Sequence, residues 1–254
     1  MACCVGRCAG RIRNAAFSVG ETRYELEPNS GRHLLHGGHR GWSFRDWEIV
    51  ERETRRVSLR LAVDDDGFPG RAVAAVTYAV EGARLTMRFE CTTDAPSPVS
   101  MTNHAYFNLG GDLEDHYLRV SGASRFVETD DDLVPTGHLK SCPEDLDFSA
   151  PKRLVGDLDH CLVVDDGAMI KAFLRGPRVS MRLATTQPGL QVYTANFLPG
   201  LHRRTAVCLE TQHLPDSVNH PNFPSWNLVD ADRPYDHATT IDFFGCSEEG
   251  GGDR

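Results

Sequence analysis

The chain has 254 residues, of which 40% are hydrophobic and 25% charged, with a formal net charge of -9 and a pI near 5.6. That is long enough for one large core, and the composition reads as a soluble globular chain rather than a disordered one. No apolar run approaches the roughly 20 residues needed to span a bilayer. No Lys/Arg-rich run offers a footprint for nucleic acid or an anionic membrane.

In chain order, residues 1–20 carry Arg7, Arg11 and Arg13 and no acid, a superficial likeness to a transit peptide. The stretch lacks a helical apolar face and a secretory core. From residue 57 the pattern is β: Val57, Leu59, Leu61 and Val63 alternate with smaller or polar residues. Asp64 to Gly70 is a turn rich in Asp, Gly and Pro, and Val73 to Val80 is a second β-branched run broken by Glu81-Gly82. Leu85, Met87 and Phe89 then alternate again, predicting an antiparallel meander. Further strands are predicted around 117–121, 161–164, 170–174, 178–184, 190–194, 206–210 and 238–244. Pro143 to Leu158 reads as a polar loop, and Pro215, Pro221 and Pro224 mark an irregular segment. No helical period is sustained beyond about ten residues. The expectation is an all-β chain, a large antiparallel β-sandwich spanning 1–246 as one domain, with a disordered Gly- and Glu-rich tail over 247–254.

Eight cysteines (Cys3, Cys4, Cys8, Cys91, Cys142, Cys161, Cys208 and Cys246) are scattered and form no C-x-x-C pair. Reduced, mostly buried thiols and a cytoplasmic protein are the reading, with a disulfide framework the alternative. Metal is disfavoured: the histidines show no H-x-H or H-x-x-x-H spacing, and the recurrence of His33, His36 and His39 on a Gly-rich loop has little specificity. No G-x-S-x-G elbow marks a nucleophilic serine. Cys208 shares the strand face of Glu210 and reads as a core thiol. What remains is acid–base work on a polyhydroxy ligand. A sugar calls for Arg, Asp, Asn and Gln to pair with its hydroxyls, and this sequence places such groups at strand ends and beside turns.

Several blocks carry a specific resemblance. They are Val5-Gly6-Arg7-Cys8-Ala9-Gly10-Arg11-Ile12, Leu35-His36-Gly37-Gly38, Gly67-Phe68-Pro69-Gly70 and Thr102-Asn103-His104-Ala105-Tyr106-Phe107-Asn108-Leu109. Leu158-Asp159-His160, Thr186 to Phe197, Cys208-Leu209-Glu210-Thr211-Gln212 with Pro215 to Asn219, and Tyr235-Asp236-His237 follow. In this order the blocks resemble those of the galactose mutarotases (aldose 1-epimerases), whose fold is a large β-supersandwich. The resemblance implies a cofactor-free enzyme that interconverts the α and β anomers of a hexose such as galactose or glucose. It implies Glu210 as general base, His104 as general acid, and Arg11, His36, Asp159 and Gln191 as sugar-binding residues. It implies no metal, a small-molecule sugar as partner, and a monomer or weak dimer.

Taken alone, each residue has a plainer reading. His104 could be a buried histidine bonded to a backbone carbonyl, Asp159 a turn cap, Gln191 an outward strand residue, His36 part of a Gly-rich turn and Arg11 half of a structural ion pair. Glu210 is the exception, because a Glu within Val207-Cys208-Leu209 is rarely buried without a reason. Tyr106 and Phe107 read as core rather than as a sugar platform, and His160 and His237 as structural or solvated. A hexose-phosphate epimerase would need a phosphate-binding cluster, for which Arg32, Arg40 and Arg45 are the available arginines. A catalytically impaired sugar-binding paralogue is the other alternative.

Two departures stand out. Gly10 occupies the place of an Asn in the family, removing an amide beside Arg11, so weaker binding or a changed substrate preference is expected. The Val5–Ile12 block also lies almost at Met1, where the family has preceding strands, and the loop between Gln191 and Glu210 looks short. The chain is therefore expected to lack those strands and to be less stable than a longer relative.

Overall fold

The computed structural model describes residues 3–164, 171–224 and 228–245. Cys246 and the expected tail over 247–254 lie outside the described residues. Among the described residues there is no α-helix, only short 3-10 turns, and no helix long and apolar enough to cross a membrane.

The meander expected from alternation forms and runs longer than the pattern suggests. Arg56–Val63, Ala72–Glu81 and Arg84–Thr93 pair in sequence, antiparallel, with Leu61 opposite Ala74 and Val76 opposite Phe89. These residues, with Val63, Ala72, Met87 and Cys91, point one way and are buried. The closing strand Tyr235–Gly245 pairs with Arg84–Thr93 and with Val179–Thr185. Together they belong to a nine-stranded sheet, in the order 152–153, 117–120, 172–175, 179–185, 235–245, 84–93, 72–81, 56–63 and 48–53.

A second sheet has six strands in the order 106–107, 207–212, 189–193, 159–163, 125–129 and 135–141. Its two faces do different work. Leu162, Leu190, Val192, Val207 and Leu209 belong to the main apolar core shared with Val76, Phe89, Leu174, Met181 and Ile241 of the large sheet. Thr211 bridges the sheets through a 2.6 Å hydroxyl contact with Thr239. The alternate residues of the same strands face away from that core. Period-2 geometry thus converts Val207-Cys208-Leu209-Glu210-Thr211-Gln212 into one row toward the main core and one row facing away from it.

Three two-stranded ribbons frame the open face of the small sheet: Cys4–Val5 with Thr102–Asn103, Arg11–Ile12 with Leu34–Leu35, and Ala16–Val19 with Thr22–Glu25. Arg7 pins this region. It is fully buried, gives a bidentate pair to Asp66 (3.0 and 2.9 Å), and donates to the Pro69 carbonyl (2.8 Å) and Ser97 (2.9 Å). Trp42 Nε1 also donates to Asp66, at 3.3 Å. The V-G-R and G-F-P-G blocks are therefore two halves of one structural clamp.

The strands missed by the sequence reading include 16–19, 22–25, 48–53, 125–129 and 135–141. Most are short, polar or edge-like, so half-burial leaves no clean apolar alternation. The seven described cysteines are free thiols, and Cys8, Cys91, Cys161 and Cys208 are buried.

Candidate active site

Adjacent ladder rows on the outward face of the six-stranded sheet lay out one wall of a cavity of about 300 Å³. One row runs Asp159, Tyr193, Cys208, Tyr106, and the next runs Cys161, Gln191, Glu210. Gln212 follows two residues after Glu210, on the same face. The volume is at the lower end of the range for small-molecule sites, roughly 300–1,000 Å³.

The opposite wall comes from the ribbons. Gly37 packs directly on the V-G-R backbone, where a Cβ would sit 2.1 Å from the Gly6 carbonyl oxygen. This close approach holds the Leu35-His36-Gly37 turn in place, with His36 itself in the left-handed region at φ 53°. The His36 amide donates to the Gly10 carbonyl at 3.0 Å, and the Gly10 amide donates to His36 Nδ1 at 3.2 Å. His36 thereby fixes the backbone from which Arg11 enters the cavity.

All six expected site residues, Glu210, His104, Arg11, His36, Asp159 and Gln191, line this one cavity. His104 Nε2 lies 3.6 Å from Glu210 Oε1. The His36 and His104 rings meet edge to face at 5.4 Å, and Gln191 donates to Asp159 Oδ1 at 2.6 Å. Several buried polar atoms here have no partner: Glu210 Oε2, Arg11 Nε and both amide atoms of Gln212. Buried polar groups are normally satisfied, so this set is a ready-made cradle for a ligand rich in hydroxyls.

Burial sets the electrostatics. It pushes the Glu210 carboxyl up to about 8, with the Asp159 charge adding to the rise. Burial lowers His104 below the usual imidazole value, and lowers His36 to about 3, with His104 and Arg11 contributing. Burial also raises Asp159, against the pull of the Arg11 charge and the Gln191 bond. The Glu210–His104 pair thus favours its uncharged arrangement, with the proton on Glu210. Moving that one proton to His104 gives a carboxylate and an imidazolium with no change in proton count.

His36, His104 and Glu210 also bring possible metal-ligand atoms within 4.8 Å of one another. The hydrogen bonding works against such a use of His36. Its Nδ1 accepts from an amide, so the neutral ring carries its proton on Nε2, and that nitrogen is a donor.

A family model described as aldose 1-epimerase matches residues 1–242. The chain belongs to the aldose 1-epimerase family. The aldose 1-epimerase of Escherichia coli K12 is 34% identical over 252 residues, covering 87% of this chain and 72% of that protein. The galactose mutarotase of Bos taurus is 32% identical over 269 residues, covering 94% and 77%. A GalM/aldose epimerase homologue from C. elegans has a similar structure, with a TM-score of 0.90 at 30% identity over 95% of this chain and 82% of that one. A galactose 1-epimerase from Lactobacillus acidophilus, at 23% identity and a TM-score of 0.85, shares the fold.

The cavity is also lined by residues that the sequence reading did not assign to the site. Tyr106, expected in the core, lines the cavity, stacks on His104 at 5.1 Å and leaves the core to its neighbour Phe107. The two adjacent residues sit on opposite faces of one short strand, which a joint core reading could not allow. Tyr193, Phe197 and Gln212 also line the cavity. The period-2 relation of Gln212 to Glu210 was the available signal. Of the histidines set aside, His237 is buried and stacks on Phe89 at 4.8 Å, while His160 lies edge-on to Phe126 at 6.0 Å.

Proposed function

We propose that this chain interconverts the α and β anomers of a hexose, galactose or glucose, through Glu210 and His104. The observation that carries the reading is the 3.6 Å approach of His104 Nε2 to Glu210 Oε1, in a buried cavity lined by unpartnered polar atoms. With the pair's proton on His104, the Glu210 carboxylate takes the proton from the anomeric hydroxyl. The C1–O bond becomes a carbonyl as the bond from C1 to the ring oxygen breaks. The ring oxygen keeps that electron pair and takes the proton from His104 Nε2. Rotation about C1–C2 presents the other face of the aldehyde. The steps then reverse: His104 recovers its proton as the ring closes, and Glu210 returns its proton to the carbonyl oxygen.

Nothing is oxidised or reduced, and each proton ends where it began, so the chemistry calls for no cofactor. Two groups with opposite shifts can exchange roles in both directions, as a reversible reaction requires. Each positioned proton-transfer group is worth roughly 100- to 10,000-fold. Arg11, His36, Asp159, Gln191 and Gln212 supply donors and acceptors for the hydroxyls. Tyr106, Tyr193 and Phe197 supply apolar cover for the sugar's faces.

A hexose-phosphate substrate is less well supported. Arg32 lies against Asp132, and Arg40 and Arg45 bond to Asp65; none of the three lines the cavity. The reduced thiols support the cytoplasm as the working compartment.

Polarimetry starting from pure α-galactose tests the reading. Wild type should accelerate mutarotation over buffer, and Glu210→Gln and His104→Asn should each lose most of that acceleration. A wild-type protein that binds galactose without accelerating mutarotation would mark a sugar-binding paralogue and overturn the proposal.

A further inference from the structure

The proton transfers above use one end of the cavity, and the other end differs from it in chemistry. The ladder row that holds Glu210 continues past Gln191 to Cys161. The next strand pairs Arg125 with Val163 and Phe126 with Leu162, which brings Val127 opposite Cys161. Val127 and Cys161 are buried, belong to one apolar cluster and line the cavity. Neighbouring strands lie about 4.8 Å apart, so Cys161 stands roughly 10 Å along the row from Glu210, and Val127 roughly 14 Å. A row that opens on a carboxyl and an amide thus closes on a thiol and an isopropyl group.

Leu133 lines the cavity from the turn that joins strand Arg125–Thr129 to strand Pro135–Ser141, and it is held there against its own backbone preference. It sits at φ 60°, in the left-handed region that a bulky side chain seldom adopts. Its amide donates to the Asp130 carbonyl at 2.9 Å, and the Asp130 amide donates to the Val134 carbonyl at 3.0 Å. Asp130 Oδ1 accepts from the amides of Asp132 and Val134, both at 3.1 Å. Arg13 ties the turn to the ribbons through Asp130 Oδ2 and the Pro135 carbonyl, both at 2.8 Å. Strain persists only where the surroundings over-determine it, and here it keeps an apolar side chain on the cavity.

We propose that Leu133, Cys161 and Val127 form an apolar subsite for the end of the sugar remote from C1, and that the preferred substrate is a deoxyhexose lacking the 4- or the 6-hydroxyl of galactose. This inference rests on the anomer interconversion proposed above, with C1 at Glu210. C4 lies across the ring from C1, and the C6 arm stands on the carbon beside it. Arg11, Asp159, Gln191 and Gln212 serve the other hydroxyls, and Thr129, on the same register beside Asp159, adds to that polar side. A hydroxyl pressed against Leu133 and Val127 loses its water and gains no partner. The Cys161 thiol is a weak donor, and burial raises it, so it brings no charge to offset the loss. A methyl or methylene group in the same place loses nothing and buries apolar surface.

Polarimetry of the wild type with galactose, 4-deoxygalactose and 6-deoxygalactose, each corrected for its rate in buffer, tests the subsite and tells the two positions apart. At least one deoxy sugar should exceed galactose in kcat/KM by roughly 5- to 100-fold, the range for a buried hydroxyl left without a partner. Leu133→Asn suits the left-handed backbone better than leucine and brings an amide to the subsite, so it should fold and cut that ratio at least ~5-fold. Val127→Thr, close in shape but carrying a hydroxyl, should move the ratio the same way. The proposal is overturned if neither deoxy sugar leads galactose by ~5-fold, or if both variants keep the wild-type ratio. Turnover of all three sugars at like kcat/KM would remove the subsite and leave the anomer interconversion standing. Acceleration of none of the three would remove that reaction itself, and the subsite with it.

Discussion

Gln191 and Glu210 are direct cross-strand partners on neighbouring strands of the six-stranded sheet, and both face the cavity. Gln191 spends its amide on Asp159, so Glu210 receives no donor from the residue opposite it. One carboxylate is held by a neighbour while the other is left with a buried, unpartnered oxygen. That asymmetry supports the proposed role of Glu210, rather than Asp159, in removing a proton.

Glu210→Gln separates catalysis from stability. Burial raises the folded-state carboxyl from its ordinary 4.5 to about 8. Between those values the folded state holds a proton that the unfolded state has released. Stability therefore falls as pH rises across that window. Glutamine removes the penalty, which at about 1.4 kcal/mol per unit is on the order of 3 kcal/mol at pH 7. The variant should lose roughly 100- to 10,000-fold in kcat while its Tm exceeds wild type by a margin that widens from pH 5 to 8. A margin that stays constant with pH would show that Glu210 is not buried as described.

The pH dependence of kcat/KM should be bell-shaped, because catalysis needs one proton on the Glu210–His104 pair. The alkaline limb should fall near the value to which burial pushes Glu210, about 8. The acid limb should lie below the ordinary imidazole range, because burial lowers His104. Both limbs belong to the pair rather than to either residue. His36, at about 3, should not titrate in the working range. Stopped polarimetric assays from pH 4.5 to 9.5 would settle the point, and an acid limb above 7 would contradict it.

Much of this site was legible in the residues. Glu210 stood out because an acid amid Val207, Cys208 and Leu209 implies burial with a purpose, and the block order supplied the rest. Gln212 could have been read from its period-2 relation to Glu210, but Tyr106 was not legible, for a physical reason. Which face of a short strand looks inward depends on register, and a two-residue strand such as Tyr106–Phe107 has no period to read. The strands 135–141, at the sheet edge, and 125–129, its half-exposed neighbour, were missed likewise, since half-exposed strands carry Arg, Glu, Thr and Lys without penalty.

Gly10 stands where the resemblance leads one to expect Asn, and its geometry sharpens the expectation. It adopts φ 74°, and a Cβ there would lie 2.7 Å from the Pro215 Cβ and 3.6 Å from Gln212 Nε2. Asparagine tolerates this backbone region, but the rigid Pro215 ring must shift to clear its Cβ. Its amide would then stand beside Gln212, whose own amide atoms have no partner. Gly10→Asn should tighten galactose binding several-fold, the worth of one hydrogen bond of about 1 kcal/mol, as read by calorimetric titration. Gly10→Val should instead destabilise the fold, since β-branched residues strain at this φ. If Gly10→Asn fails to tighten binding, the missing amide is not what limits affinity.

Arg7 should matter for folding far more than for chemistry. Its guanidinium is fully buried and paired with Asp66, at the joint that carries the Gly10–Arg11 backbone into the cavity. Arg7→Met would leave Asp66 as a buried charge served mainly by Trp42 Nε1 and the Phe68 amide. Removing one partner of a buried pair costs roughly 3–5 kcal/mol, so denaturant unfolding should show a loss of that size. Much of that cost is the orphaned charge rather than the lost contact. Arg7→Met combined with Asp66→Asn should therefore recover a large part of the stability, because asparagine keeps an acceptor for Trp42 without the charge. A double variant no more stable than Arg7→Met alone would mean that the arginine acts through its packing against Phe68, over whose ring it lies at 5.3 Å, and not through charge.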